Sequence, residues 1–253
     1  PAALASRNSM GGAMDNGQPS RTALFAAAAR AAHLLVGGEP RILNDTVAIR
    51  LLGDQADALF SFHLTHGAHV VLAGMRVIVT ARSRYAEDQS AEAVHRGIGQ
   101  YVILGLDSFA YRSPLIDQVR VFEVDHPATQ AWKRHQLAMA EIDEPDEVVY
   151  VPVDFRVDSL KERLTLAGFD PSREAFVSWL GVTQNLTQDS IDATLAVIGD
   201  FASGMDSLGL IAREYDVTPQ RQRAEQPEHT ARLSAVSAQA QQERRKVFPP
   251  RLA

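Results

Sequence analysis

From Gln100 onward the chain repeats one alternation: a short β-branched or aromatic run, then a stretch of helical composition. The apolar runs cover residues 100–104, 119–125, 147–154, 175–182 and 208–217, and helical segments lie at 127–141, 158–167 and 187–202. Strands separated by helices need crossover connections, and crossovers set neighbouring strands parallel. The alternation therefore predicts an α/β fold with a mostly parallel sheet. The 105–118 connection is too short for a long helix and predicts one or two turns.

Ahead of the alternation the pattern is helical. Ser20 is placed to cap "RTALFAAAARAAHLLV", whose alanine and leucine content favours helix. Gly37-Gly38-Glu39-Pro40 ends it, and Asn44 or Asp45 can cap "TVAIRLLG". Two or three further helices lead to Gly97. Residues 1–19 are rich in Gly, Ser, Asn and Ala, lack the apolar region of a signal peptide, and read as a flexible lead. The expected organisation is a flexible N-terminal segment (1–19), a helical cap (20–97), an α/β core (98–217) and a polar C-terminal helix and tail (218–253).

Composition removes several function classes. A chain of 253 residues with 45% hydrophobic content can bury a full core. Its formal charge of −6, without a long basic block, lacks the electrostatic footprint of a nucleic-acid binder. The absence of cysteine removes disulfides and thiolate nucleophiles, and no apolar run is long enough for a membrane span. A cytoplasmic protein acting on a small molecule is the expectation. No Gly-x-Ser-x-Gly elbow, Walker loop or His-Glu-x-x-His pattern occurs, so hydrolase and phosphoryl-transfer readings find no support. His63, His66 and His69 are spaced three apart, but Gly67 interrupts them and no nearby carboxylate completes a set, so no metal is expected.

Ligands of parallel α/β sheets bind beyond the carboxyl ends of the strands. Each predicted strand end here carries a polar feature: Gly105 and Asp107, then Glu123 and Asp125, then Asp154, then "GVTQN". An acid ending the second strand can accept from both hydroxyls of a ribose, and one after the third can accept from an adenine amino group. Each acid can equally cap the following helix, since Asp125 precedes Pro127 and Asp158 precedes "SLKERL". As a set, they predict a nucleoside site. His33 and His126 are placed to act as general bases near neutral pH, with helix packing as the alternative for each.

The segments "RTALFAAAARAAHLL", "ARSRYAED", "QYVILGLDSFAYR", "VRVFEVDHPATQAWKR", "VPVDF", "AGFDPSREAFVSWLGVTQNLT" and "IDATLAVI" resemble the leucine carboxyl methyltransferase-like family. The likeness is to its bacterial branch of S-adenosylmethionine (SAM)-dependent methyltransferases, in the family's order, from about Ser20 to about Asp216. It implies a class I methyltransferase fold, Rossmann-like, with a seven-stranded sheet, an N-terminal helical cap over the active site and SAM as cofactor. It implies that Arg82, or less readily Arg84, pairs with the SAM carboxylate, and that Gly105-Leu106-Asp107 passes beneath the methionine part. Asp125, or Glu123 beside it, would hold the ribose, and Asp154 and Phe155 would flank the adenine. Leu180 to Asn185 would line the wall facing the sulfonium, so that His33, His126 and Asn185 are the candidate catalytic residues.

The chain departs from the family pattern in three places. "ILGLDSFAYR" is two residues shorter than the family's "ILGAGLDSFAYR", Asn185 stands where bacterial relatives usually have Tyr, and the closing β-hairpin is not legible in the tail. A sheet edge left uncovered would favour a partner chain, so a homodimer is expected. The leading expectation is a SAM-dependent O-methyltransferase acting on a carboxyl or hydroxyl group of a small molecule. The shortened loop and Asn185 keep a second one open: a protein of this fold that no longer transfers methyl groups and serves as a cyclase or isomerase, or as a binding subunit.

Overall fold

The computed structural model describes residues 21–183 and 186–201. The strand expected at 208–217, the tail, Ser20 and Asn185 lie outside the described residues. Four helices come first: α1 (Arg21–Val36), α2 (Thr46–Leu51), α3 (Ala56–His66) and α4 (Val70–His95). Then follow β1 (Gln100–Leu104), β2 (Arg120–Asp125), α5 (Pro127–Met139), β3 (Val148–Pro152), α6 (Leu160–Leu166), β4 (Phe176–Trp179) and α7 (Gln188–Phe201). Two single 3-10 turns, Phe109–Tyr111 and Ile116–Gln118, fill the short connection between β1 and β2, as its length predicts.

All described strand pairs are parallel, in the order β3-β2-β1-β4. The alternation of side chains explains why β1 is buried along its whole length. Val102 and Leu104 join a cluster with Phe122, Val124, Leu164 and Ile198, whereas Tyr101 and Ile103 join the opposite cluster with Phe109, Val121 and Ala93. Helices α6 and α7 therefore cover one face, and the end of α4 with the first 3-10 turn covers the other. Register brings the carboxyl ends together: Leu104 stands opposite both Val124 and Trp179, and Asp125 opposite Pro152.

The cap is built on small residues. Ala27, Ala28, Ala31 and Ala32 of α1 are buried against Ala48 and Leu52, which lets helix axes approach closely. Asp45 caps α2, its Oδ1 accepting from the Ala48 N–H at 2.9 Å. Two helix starts differ from expectation. The cap of α5 is His126, whose Nδ1 accepts from the Ala128 N–H, with Pro127 in the first turn. The cap of α6 is Ser159 rather than Asp158, which instead accepts from the Asp154 N–H and pairs with Arg163. Among the described residues no helix is long and apolar enough to cross a membrane.

Candidate functional site

The loop after β1 is held in a conformation that requires its glycine. Gly105 has φ +112°, a region that side chains disfavour, and its N–H continues the ladder to the Val124 carbonyl at 2.8 Å. A Cβ placed on Gly105 would lie 2.5 Å from Cγ2 of Val182. Asp107 turns its carboxylate back to the N–H groups of Ser108 and Phe109, 2.7 Å each, and so caps the first 3-10 turn. Gly105, Leu106, Asp107, Ser178 and Leu180 line a small recess at the strand ends.

The two acids of β2 have different environments. Glu123 is buried, and Lys133 Nζ stands 2.5 Å from its Oε2. Burial raises the Glu123 pKa while the Lys133 charge opposes that shift, and Oε1 is left buried without a hydrogen bond. Lys133, itself 2% exposed, also donates to the Asp107 carbonyl at 2.7 Å and lies 4.4 Å from the Tyr111 ring centroid. The Tyr111 hydroxyl meets that of Tyr150 at 2.6 Å. Asp125, at the tip of the strand, has one oxygen accepting from the His126 N–H at 2.7 Å and no other hydrogen bond among the described residues. Burial pushes its pKa up to about 7, against the His126 N–H and the Lys133 charge. A half-buried strand-end carboxylate with one open oxygen can accept from a pair of hydroxyls.

The other predicted residues fall into three groups. Asp154, past the end of β3, is engaged by Arg156 at 2.7 Å, and that hydrogen bond lowers its pKa to about 2. His126 Nε2 comes within 3.8 Å of the same carboxylate, joining the ends of β2 and β3. Phe155 packs on the main core cluster beside Val182 and Leu186. His33 is buried in the cap, where its Nε2 accepts from the Ile42 N–H at 3.1 Å; desolvation, with Arg76 and Arg41 nearby, lowers its pKa. Arg82 is half-buried on α4, whereas Arg84 forms an exposed i,i+4 pair with Asp88. Gly105, Asp107 and Leu180 thus share one recess; His33 stands apart in a hydrogen bond of its own.

A charged joint between cap and loop was not anticipated from sequence. Asp45 is fully buried and receives Arg30 Nε at 2.7 Å and the Ser108 hydroxyl at 2.6 Å, with Arg112 Nε at 3.3 Å. Arg112 also forks onto Glu87 of α4. Burial opposes ionisation of Asp45, but Arg30, Arg112 and Ser108 together hold its pKa below the usual carboxylate range. The available signal was "SFAYR", which carries Ser108 and Arg112; nothing in the local pattern of Asp45 points beyond a helix cap. Lys133 was missed for a related reason. Gln130, Lys133 and Leu137 lie at i, i+3 and i+7 on one buried face, but polar residues on such a face read as a solvated one.

Comparison with known proteins agrees with this architecture. Residues 23–199 match the family model described as leucine carboxyl methyltransferase. YktD of Bacillus subtilis (strain 168), named as a candidate S-adenosyl-L-methionine-dependent methyltransferase, is 39% identical over 112 residues, covering 43% of this chain and 36% of the relative. A protein so named from Mycobacterium tuberculosis (strain ATCC 25177 / H37Ra) is 31% identical over 224 residues, covering 81% of this chain and 69% of the relative. One from Mycolicibacterium smegmatis (strain ATCC 700084 / mc(2)155) is 40% identical over 96 residues, covering 37% of this chain and 31% of the relative. The matching segments thus span from about a third to about two thirds of these relatives' own lengths.

Proposed function

The chain belongs to the leucine carboxyl methyltransferase family, and from that membership we propose that it is a SAM-dependent O-methyltransferase acting on the carboxyl group of a small molecule. The observation that carries the proposal is the open oxygen of Asp125 at the end of β2, level with the bare Cα of Gly105 at the end of β1. SAM, when bound, supplies a methyl group on a sulfonium, ready for displacement by a nucleophile. The residues present fit this cofactor by their chemistry. Asp125 would accept from the ribose hydroxyls, the Gly105–Asp107 loop would carry the methionine part, and Arg82 would pair with its carboxylate. Asp154 would meet the adenine only by exchanging its bond to Arg156, with Phe155 beside it.

The choice of a carboxyl acceptor over a hydroxyl rests on the histidines. A hydroxyl nucleophile needs a base with a free acceptor nitrogen. His33 uses Nε2, and His126 uses Nδ1, to accept a backbone N–H, which leaves the proton of each neutral ring on its other nitrogen. A carboxylate needs no base, so holding and aligning it is the protein's whole task. Titration with S-adenosylhomocysteine (SAH) by calorimetry tests the reading: wild type binds, and Asp125→Ala loses about tenfold or more in affinity. An absence of heat from wild type at millimolar ligand would sink it.

One observation favours the second reading, a fold that has lost methyl transfer. Cγ2 of Val182 stands 2.5 Å from where a Cβ on Gly105 would lie, so a side chain already takes up the space beside the loop that would carry the methionine part. SAH binding by Val182→Ala but not by wild type would select that reading.

A further inference from the structure

We infer that Lys133 is a positioning residue for the cofactor site: it holds the single-glycine loop Gly105–Asp107 in place through the Asp107 carbonyl and presents a positive charge to Asp125. The inference rests on the SAM reading above for what the loop carries, but its geometry stands alone. A lysine that is 2% exposed is costly to bury unless its charge and its donors are met. Glu123, 2.5 Å away, meets the charge, and the Tyr111 ring, 4.4 Å from Nζ, adds a cation–π contact. The donor that remains goes to a main-chain atom of the loop, the Asp107 carbonyl at 2.7 Å.

That bond matters because the loop has few others. Its first residue is held by the Gly105 N–H to Val124, while the Asp107 side chain is spent capping Ser108 and Phe109. Between these, the Lys133 bond ties the loop to the layer beneath it. The anchor is itself rigid. Gln130, one turn earlier on α5, donates to the carbonyls of Glu123 and Val151 at 2.8 and 3.1 Å, fixing the helix across β2 and β3. Asp125 lies two residues beyond Glu123 on the same face of β2, so the groups around it are Lys133 on α5, which bonds Glu123, then Glu123 itself and the His126 N–H, with Asp154 beyond the His126 ring. Of these, Lys133 is the full positive charge that favours the carboxylate.

The decisive variant is the double substitution Glu123→Gln with Lys133→Met, which removes the buried charges together and keeps the fold testable where Lys133→Met alone strands Glu123. Two measurements are made on it, on Lys133→Arg and on wild type. They are amide hydrogen exchange without ligand, and SAH calorimetry from about pH 6 to about pH 9. In the double variant the amides of Gly105, Ser108 and Phe109 are expected to exchange at least about tenfold faster, with those of Val102 and Phe122 unchanged. Its SAH affinity falls about tenfold or more, and the pH midpoint of binding moves to higher pH. Lys133→Arg keeps both the loop protection and the midpoint. A double variant with wild-type loop exchange and an unmoved midpoint would show that Lys133 merely neutralises Glu123, and would overturn the inference. Failure of wild type to bind SAH would instead overturn the SAM reading and the cofactor role with it, while the exchange data still decide whether Lys133 holds the loop.

Discussion

Asp125 is the residue on which pH acts most directly. Burial, the largest influence, pushes its pKa up to about 7, and a carboxylate accepts from two hydroxyls where a carboxylic acid cannot. SAH affinity is therefore expected to rise about tenfold between about pH 6 and about pH 8, in step with ionisation, and the rise should vanish in Asp125→Asn. Calorimetry across that range reads both slopes. Stability moves the other way. Because the folded-state pKa lies above the unfolded one, the folded protein holds this proton from about pH 4 to about pH 7, so the contribution of Asp125 declines as pH rises through that window. A melting temperature that rises toward neutral pH in wild type relative to Asp125→Asn would contradict the assignment. Asp125 was readable in the sequence because a strand-end acid is a local pattern. Its distinction from Glu123 was not, because it depends on Lys133, ten residues from Glu123 in sequence and brought under it by the turn into α5.

At the scale of elements, β1, β2 and the first cap helix, α1, were far more legible than the long cap helix α4. β1 and β2 alternate around two buried faces and follow glycine or short turns, so their bounds shift by no more than one residue from expectation. α4 is different. Its buried positions include Arg76, Thr80, Ser83 and Ser90, while Val70, Val71, Met75, Val77 and Ile78 are exposed. A helix with polar residues inside and apolar ones outside gives periodicity no purchase on which face is buried. The segment after β4 was expected as a wall facing the sulfonium; Leu180 lies on the strand-end recess, and Val182 beside Gly105 was not foreseen. Val182 follows a glycine of φ +76°, Gly181, and its methyl reaches the space that the missing Cβ of Gly105 leaves. Val182→Ala is expected to raise SAH affinity several-fold by clearing that space, and to cost about 1 kcal/mol or somewhat more in chemical denaturation for the lost methyl groups. Gly105→Ala should destabilise by more, since it meets both the methyl and the positive φ. Adding Val182→Ala to it should recover the steric part alone. Full recovery would show that the backbone conformation carries no cost.

For the molecule as a whole, the question is what keeps the helical cap on the sheet, since a cap that drifts cannot exclude water from a site. Cap and sheet fall within one compact unit, and the tie between them is polar as well as apolar. Asp45 at the start of α2 receives Arg30 from α1, Ser108 from the loop after β1, and Arg112 from the turn that follows, which also grips Glu87 of α4. One carboxylate thereby joins three cap helices to the loop that would carry the cofactor. Asp45→Asn keeps the size of the side chain but leaves Arg30 and Arg112 buried without its charge, a defect of about 3–5 kcal/mol. Ser108→Ala removes a single hydrogen bond and should cost about 1–2 kcal/mol. The pH dependence separates charge from shape. Because Arg30 and Arg112 overcome burial and hold the Asp45 pKa below its unfolded value, its contribution is complete above about pH 4 and is lost as pH falls through the lower folded-state value. Wild type and Asp45→Asn should therefore differ most in melting temperature near neutrality and converge in acid. Limited proteolysis adds the location, with cleavage in the variant falling between the cap helices while β1 and β2 stay protected. A difference in melting temperature that persists unchanged at low pH would mean that the joint acts through packing and not through its charge.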